Sequence, residues 1–81
     1  MNEWTHISGN HTSKRVSIKK LIRDIMTGED IVGQYNDREF DIRFEDSGDS
    51  AAKSLEKFIK EFKRMDPKAH LSFTATIEYS F

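Results

Sequence analysis

The sequence predicts a small α+β domain, a largely antiparallel sheet with two helices on one face, in the order (ββ)-α-β-β-α-β. Two segments repeat their apolar residues at helical spacing, and of three strand-like segments two alternate apolar with polar residues at the two-residue period of a strand. Each of those three strands offers one apolar face, and packing both helices on that face is the economical way to bury it.

The first sixteen residues carry the thinnest pattern. Residues 3–8 and 11–16 flank Gly9-Asn10, a dipeptide able to close a two-residue hairpin. The segment is expected to be either an additional hairpin or a flexible arm anchored by Trp4. Trp4 itself reads as a core or staple residue ahead of a ligand platform.

A first helix is expected over residues 17–28. Ile18, Leu21, Ile22 and Ile25 form its apolar stripe, Ser17 is the N-cap and Gly28 lies beyond its end. Lys19, Lys20 and Arg23 leave the opposite face basic. Residues 31–35 and 39–44 then read as two strands joined by the turn-forming Asn36-Asp37-Arg38. In the second of them Phe40, Ile42 and Phe44 point one way, and Glu39, Asp41, Arg43 and Glu45 the other.

A loop over residues 45–50 leads into a second helix over residues 50–65, with Asp49 or Ser50 as its N-cap. Ala51, Leu55, Phe58, Ile59, Phe62 and Met65 make the stripe, and Asp66-Pro67 ends it. Residues 70–81 form the most regular strand. Leu71, Phe73, Ala75, Ile77, Tyr79 and Phe81 alternate there with a hydroxyl-rich set, so one face should be buried and the terminal Phe81 docked.

The 81 residues make one domain over positions 1–81, with room for a core and little for a deep active site. At 36% hydrophobic and 33% charged residues the chain falls with soluble globular domains. Cysteine is absent, which removes disulfides, thiolate zinc sites and cysteine nucleophiles and fits a reducing compartment. No apolar run approaches the roughly 18–20 residues that span a bilayer. The N-terminus lacks the basic-then-apolar order of a secretory signal. The expected location is therefore the cytoplasm, with no membrane partner.

The formal net charge of −1 hides a segregation. Residues 29–49 contain eight acids and two bases, a net of six negative charges, between flanks of +3 and +2. An acidic centre of this density suits a surface that meets a basic one. On a strand, Asp37, Glu39 and Asp41 would stand roughly 6.6–6.8 Å apart on one face, too far for one metal ion to gather alone. The same ladder approximates every second phosphate of a DNA strand, whose charges are spaced by ~3.4 Å. The plainer alternative is an exposed strand face whose charges keep the domain soluble and deter edge pairing.

Other chemistry is weaker. Glu45-Asp46-Ser47-Gly48-Asp49 lacks the order of a calcium loop, and acids complementing a helix dipole explain it better. No nucleophile elbow, phosphate loop, zinc-protease pattern or dinucleotide fingerprint occurs, so neither catalysis nor a metal or cofactor is expected. Lys53, Lys57, Lys60, Lys63 and Arg64 could face nucleic acid. Glu56 lies one turn before Lys60, however, the pI is about 6.3, and the helix's aromatics belong to its buried stripe, so direct nucleic-acid binding is not expected.

Leu21-Ile22-Arg23-Asp24-Ile25, the acidic hairpin after it, and Leu55-Glu56-Lys57-Phe58-Ile59-Lys60-Glu61-Phe62-Lys63 together cover about a quarter of the chain. In order and spacing they resemble a small phage anti-CRISPR protein family that inhibits the type II effector nuclease. The resemblance implies an acidic surface that occupies the basic site where the nuclease reads its target DNA. It casts Asp37, Glu39, Asp41, Glu45 and Asp46 as phosphate mimics. This chain differs from the family in an extension through Val16 and in ending in a strand where the family continues in helix.

The expected function is a non-enzymatic protein-binding inhibitor, phage or mobile-element encoded, that presents its acidic hairpin to a basic nucleic-acid-handling host protein such as a CRISPR effector. It would act as a monomer or homodimer. The alternative is a structural or assembly protein that oligomerises through its C-terminal strand.

Overall fold

A computed structural model describes residues 2–26, 31–45 and 48–80. The elements are β1 (Asn2–His11), α1 (Ile18–Ile25), β2 (Ile31–Tyr35), β3 (Glu39–Phe44), α2 (Gly48–Met65) and β4 (Leu71–Ser80). The strands form one sheet in the order β2-β3-β1-β4, and every neighbouring pair is antiparallel. β1 and β2 are separated by the inserted β3, the split β-α-β arrangement of ferredoxin-like folds. The α+β architecture matches the expectation from sequence.

The N-terminal segment is neither a hairpin nor a flexible arm. It is one ten-residue strand at the centre of the sheet, with Gly9 and Asn10 continuing it. Gly9 pairs with Phe40 on one side and Phe73 on the other. Those rings meet with centroids 6.1 Å apart, and a Cβ on Gly9 would come within 2.6 Å of Phe73 Cα. The glycine that looked like a turn signal supplies close backbone approach. Neighbouring aromatics fill the space that β1's own pattern leaves thin.

Thr5, Ile7 and His11 of β1 are buried, as are Phe40, Ile42 and Phe44 of β3. Ile18, Leu21 and Ile22 of α1 and Ala51, Phe58 and Phe62 of α2 join them in one core. Phe40, Phe58 and Phe73 make a three-ring cluster with centroids 5.6–6.1 Å apart, at separations that favour tilted and edge-to-face contacts. By strand alternation, Trp4, His6, Ser8 and Asn10 lie on the opposite face with Glu39, Asp41 and Arg43. Trp4 is thus half-buried on the open face and stands apart from the core cluster.

The helix limits differ from expectation at both ends that lack a strong stop signal. Ser17 caps α1 as expected, accepting from Lys20 N–H at 3.3 Å. α1 nevertheless closes at Ile25, where Met26 N–H donates to the Ile22 carbonyl at 2.8 Å. Gly28 lies outside the described residues. α2 begins at Gly48, so Asp49 and Ser50 sit in its first turn rather than at its cap, and Asp49 complements the positive end of the helix dipole.

β4 departs from a strand with one fully buried face. Leu71 and Phe73 pack against the core, but Ala75 and Ile77 are exposed, Ile77 at 51%. The helix layer covers only the first half of the strand. Phe81, expected to be docked, lies outside the described residues.

Candidate functional site

The acidic hairpin is shaped by Asn36. Its Oδ1 accepts from Arg38 N–H at 3.0 Å and Glu39 N–H at 2.8 Å, and its N–H donates to the Glu39 carbonyl at 3.0 Å. This side-chain turn places Asp37 at the exposed tip, before β3 starts. The expected three-carboxylate ladder is therefore two strand residues, Glu39 and Asp41, plus one turn residue. Glu45 is exposed just past β3, about 20 Å along the strand from Glu39 by strand rise. Asp46 lies outside the described residues.

Asp41 is not free to meet a partner unaided. His6 Nε2 contacts its Oδ1 at 2.5 Å, and Arg43 Nη1 lies 3.9 Å from the same oxygen. Glu78 completes the group: its Oε1 is 2.9 Å from His6 Nδ1, and its Oε2 accepts from Arg43 Nε at 3.1 Å. The hydrogen bond from Arg43 holds the Glu78 carboxyl below the ordinary carboxylate value and raises the guanidinium in turn. Both ring nitrogens of His6 face carboxylate oxygens, Asp41 on one side and Glu78 on the other.

The centre of the open face is thus a compensated network. Asp37, Glu39 and Glu45, by contrast, make no ion pair among the described residues. Sequence reasoning did not single out His6, Arg43 or Glu78 as a group. His6 and Glu78 belong to opposite ends of the chain and meet only through the β1–β4 and β1–β3 registers. The one available signal was the alternation of Trp4, His6, Ser8 and Asn10, which sets those side chains on a single face.

A serine, a histidine and an aspartate also converge under the β1–α1 loop, in a wiring that is structural. Ser13 Oγ donates to Asp66 Oδ2 at 2.7 Å and accepts from Arg15 and Val16 N–H at 3.0 and 3.1 Å. His11 Nδ1 accepts the Ser13 backbone N–H at 3.1 Å, so the ring proton sits on Nε2. That hydroxyl has no histidine base. His11 is buried edge-on to Phe62 at 5.5 Å, and its Nε2 has no hydrogen-bond partner among the described residues. Burial pushes its pKa below the ordinary histidine value. The nearby Asp37 carbonyl opposes the shift without closing a hydrogen bond, and the Arg38 charge adds to it.

Eight of the thirteen basic residues lie on the two helices. Lys60 pairs with Glu56 at 3.3 Å and Arg64 with Glu61, whose carboxyl Arg64 holds below its usual value. Lys20, Lys57 and Arg15 line a groove of about 690 Å³ between α1 and α2. A second cleft, about 640 Å³, opens between the β1–α1 loop and the hairpin beside Asp37 and Arg38. Among the described residues no group of three or more His, Asp or Glu side chains is arranged to hold a metal ion. Among those residues, too, no helix is long and apolar enough to cross a membrane.

A scan against protein-family models and a search of curated proteins both give no match. A solved structure described as "De novo designed protein Foldit4" is similar over 95% of this chain and 99% of its own, with a TM-score of 0.61 and 15% sequence identity. At that identity the likeness shows the fold alone: this chain shares its backbone arrangement with a designed protein.

Proposed function

We propose that this chain is a non-enzymatic binding module of the phage or mobile-element inhibitor class, presenting its acidic hairpin to a basic, nucleic-acid-handling protein. The observation that carries the reading is the set of exposed carboxylates with no ion-pair partner among the described residues, Asp37, Glu39 and Glu45, at the tip and ends of β3. An unpaired carboxylate on a rigid strand end is available to a partner's lysine or arginine at no cost in broken internal pairs. Asp41 contributes in this reading only by exchanging Arg43 or His6 for a partner's cation. Asp46, which the resemblance casts in the same role, lies outside the described residues. The segment resemblance to anti-CRISPR proteins names a concrete first target, the site where a type II effector nuclease reads DNA.

The test is competition. A guide-loaded type II effector nuclease is titrated with labelled target duplex in the presence of this chain, and anisotropy reports displacement of the DNA. Native chain should displace it, increasingly so at low salt. The triple variant Asp37→Lys, Glu39→Lys, Glu45→Lys should lose at least about tenfold in apparent affinity, since pairs of this kind contribute roughly 0.5 kcal/mol or more each at a rim. Native chain that leaves the duplex bound eliminates this nuclease as the target. Capture from host lysate with native but not triple-variant chain would retain the wider class.

A further inference from the structure

The two edges of the sheet are built differently. β2 is five residues long and carries Gly33 at φ +141°, where a Cβ would fall within 2.6 Å of Ile42 Cα, so that edge is short and its backbone irregular. β4 is ten residues long, contains neither glycine nor proline, and carries no charge before Glu78. Natural sheets protect edges by shortness, distortion or charge. β2 has the first two of these devices, whereas β4 has none over residues 71–77.

The hydrogen-bond phase of β4 is fixed at its start. Thr12 N–H donates to the His70 carbonyl at 3.0 Å, in line with the register that pairs His11 with Leu71. In an antiparallel ladder the backbone groups alternate sides. Those of residues 72, 74, 76, 78 and 80 therefore turn inward to β1. Those of Leu71, Phe73, Ala75, Ile77 and Tyr79 turn outward, with no strand beside them among the described residues.

We propose that β4 pairs with β4 of a second copy of this chain, antiparallel, about a two-fold axis at Ala75. This register sets residue 75 opposite 75, 73 opposite 77 and 71 opposite 79, so every outward N–H and C=O from 71 to 79 meets a counterpart. No other centre uses all of them. On the helix side, Phe73 of one copy lies across from the exposed Ile77 of the other, an aromatic–β-branched pair of the stabilising kind. On the open face Thr74 meets Thr76, and Glu78, the strand's only charge, meets Ser72 instead of its own equivalent. Ala75 at the axis is exposed, so neither helix layer obstructs the approach.

The occupant is a second copy because the match is a self-match, as a two-fold interface requires. The product is one eight-stranded sheet ordered β2-β3-β1-β4-β4-β1-β3-β2. Its two open faces lie on one side, with the β3 strands about 24 Å apart across five strand spacings. The inference is independent of the proposed function, since it uses none of Asp37, Glu39 or Glu45.

Absence of native cysteine makes the register directly testable. Sedimentation velocity of the native chain should show a concentration-dependent dimer. Ala75→Cys should cross-link on mild oxidation, because hydrogen-bonded antiparallel partners stand about 5.5 Å apart at Cα, within disulfide reach. Ser72→Cys should not, since the two copies of residue 72 would be about 20 Å apart. Ala75→Pro deletes an outward N–H and leaves the β1 ladder intact; it should weaken the dimer about tenfold or more while circular dichroism stays native. Ile77→Lys should do the same through charge. A native chain that is monomeric up to millimolar concentration overturns the proposal and leaves the edge to an extended segment of another protein. Cross-linking at 72 in preference to 75 overturns the register. A dimer undisturbed by either Ala75→Pro or Ile77→Lys, with the fold confirmed, overturns the interface.

Discussion

His11 shows how one side chain can couple a loop to solution pH. Its Nδ1 accepts a backbone N–H, its Nε2 is buried without a partner among the described residues, and desolvation lowers its pKa from 6.5. A histidine held neutral in the fold but free to protonate when unfolded makes the unfolded chain bind more protons below that value. Its contribution to stability is full above about pH 6.5 and is lost as pH falls toward the lower folded value. Urea denaturation at pH 7.5 and 5.5 should therefore show the native chain losing stability, and His11→Phe should lose less. Equal losses would remove His11 as the cause. Glu78 acts in the same sense in a separate window. Its carboxyl lies below 4.5 in the fold, so its share is present above about 4.5 and lost on further acidification. Neither group could be assigned from sequence: His11 sat in a segment read as arm or hairpin, and Glu78 was one polar position in a regular alternation. Each acquired its role from distant segments, Phe62 beside His11 and Arg43 and His6 beside Glu78.

At the scale of the element, the helices and the strands β3 and β4 were legible because their periodicity is strong and local. The apolar stripes of α1 and α2 that were read from spacing contain the buried Ile18, Leu21, Ile22, Phe58 and Phe62. β1 was not legible, because its helix-facing positions are Thr5, Ile7, Gly9 and His11, a set with a single large aliphatic residue. It works as a strand because Phe40 and Phe73 close over Gly9 from either side. Gly9→Ala is accordingly expected to destabilise the fold, by about 1–3 kcal/mol as an overpacked core position, although alanine adds only one methyl group and suits strands better than glycine. Chemical denaturation checks this; a stabilised or neutral variant would show that the strands can separate enough to admit a Cβ. The acidic set was likewise only half legible. Sequence placed Glu39 and Asp41 on one face and Asp37 in the turn, but it could not foresee that Asn36 would fix that turn through its side chain or that His6 and Arg43 would engage Asp41.

For the whole molecule, the decisive feature is that the N-terminal strand is central. β1 bonds both β3 and β4, so its loss would divide the sheet and strip the core of Ile7. Deleting residues 1–11 should leave a chain without cooperative unfolding and with collapsed amide dispersion, whereas a dispensable arm would leave a folded remainder. A domain of this size has a total stability of only about 4–12 kcal/mol, too little to survive that loss. The sequence by itself determined the α+β class, the positions of the helices and the alternation of β3 and β4, because each follows from the period of side chains along a few local turns or residues. Tertiary structure alone decided the strand order, the central place of β1, the pairing of Asp41 and Glu78 with His6 and Arg43, and which edge stays open. These depend on contacts between segments far apart in the chain, and the side-chain period within one segment carries no information about which other segment lies beside it.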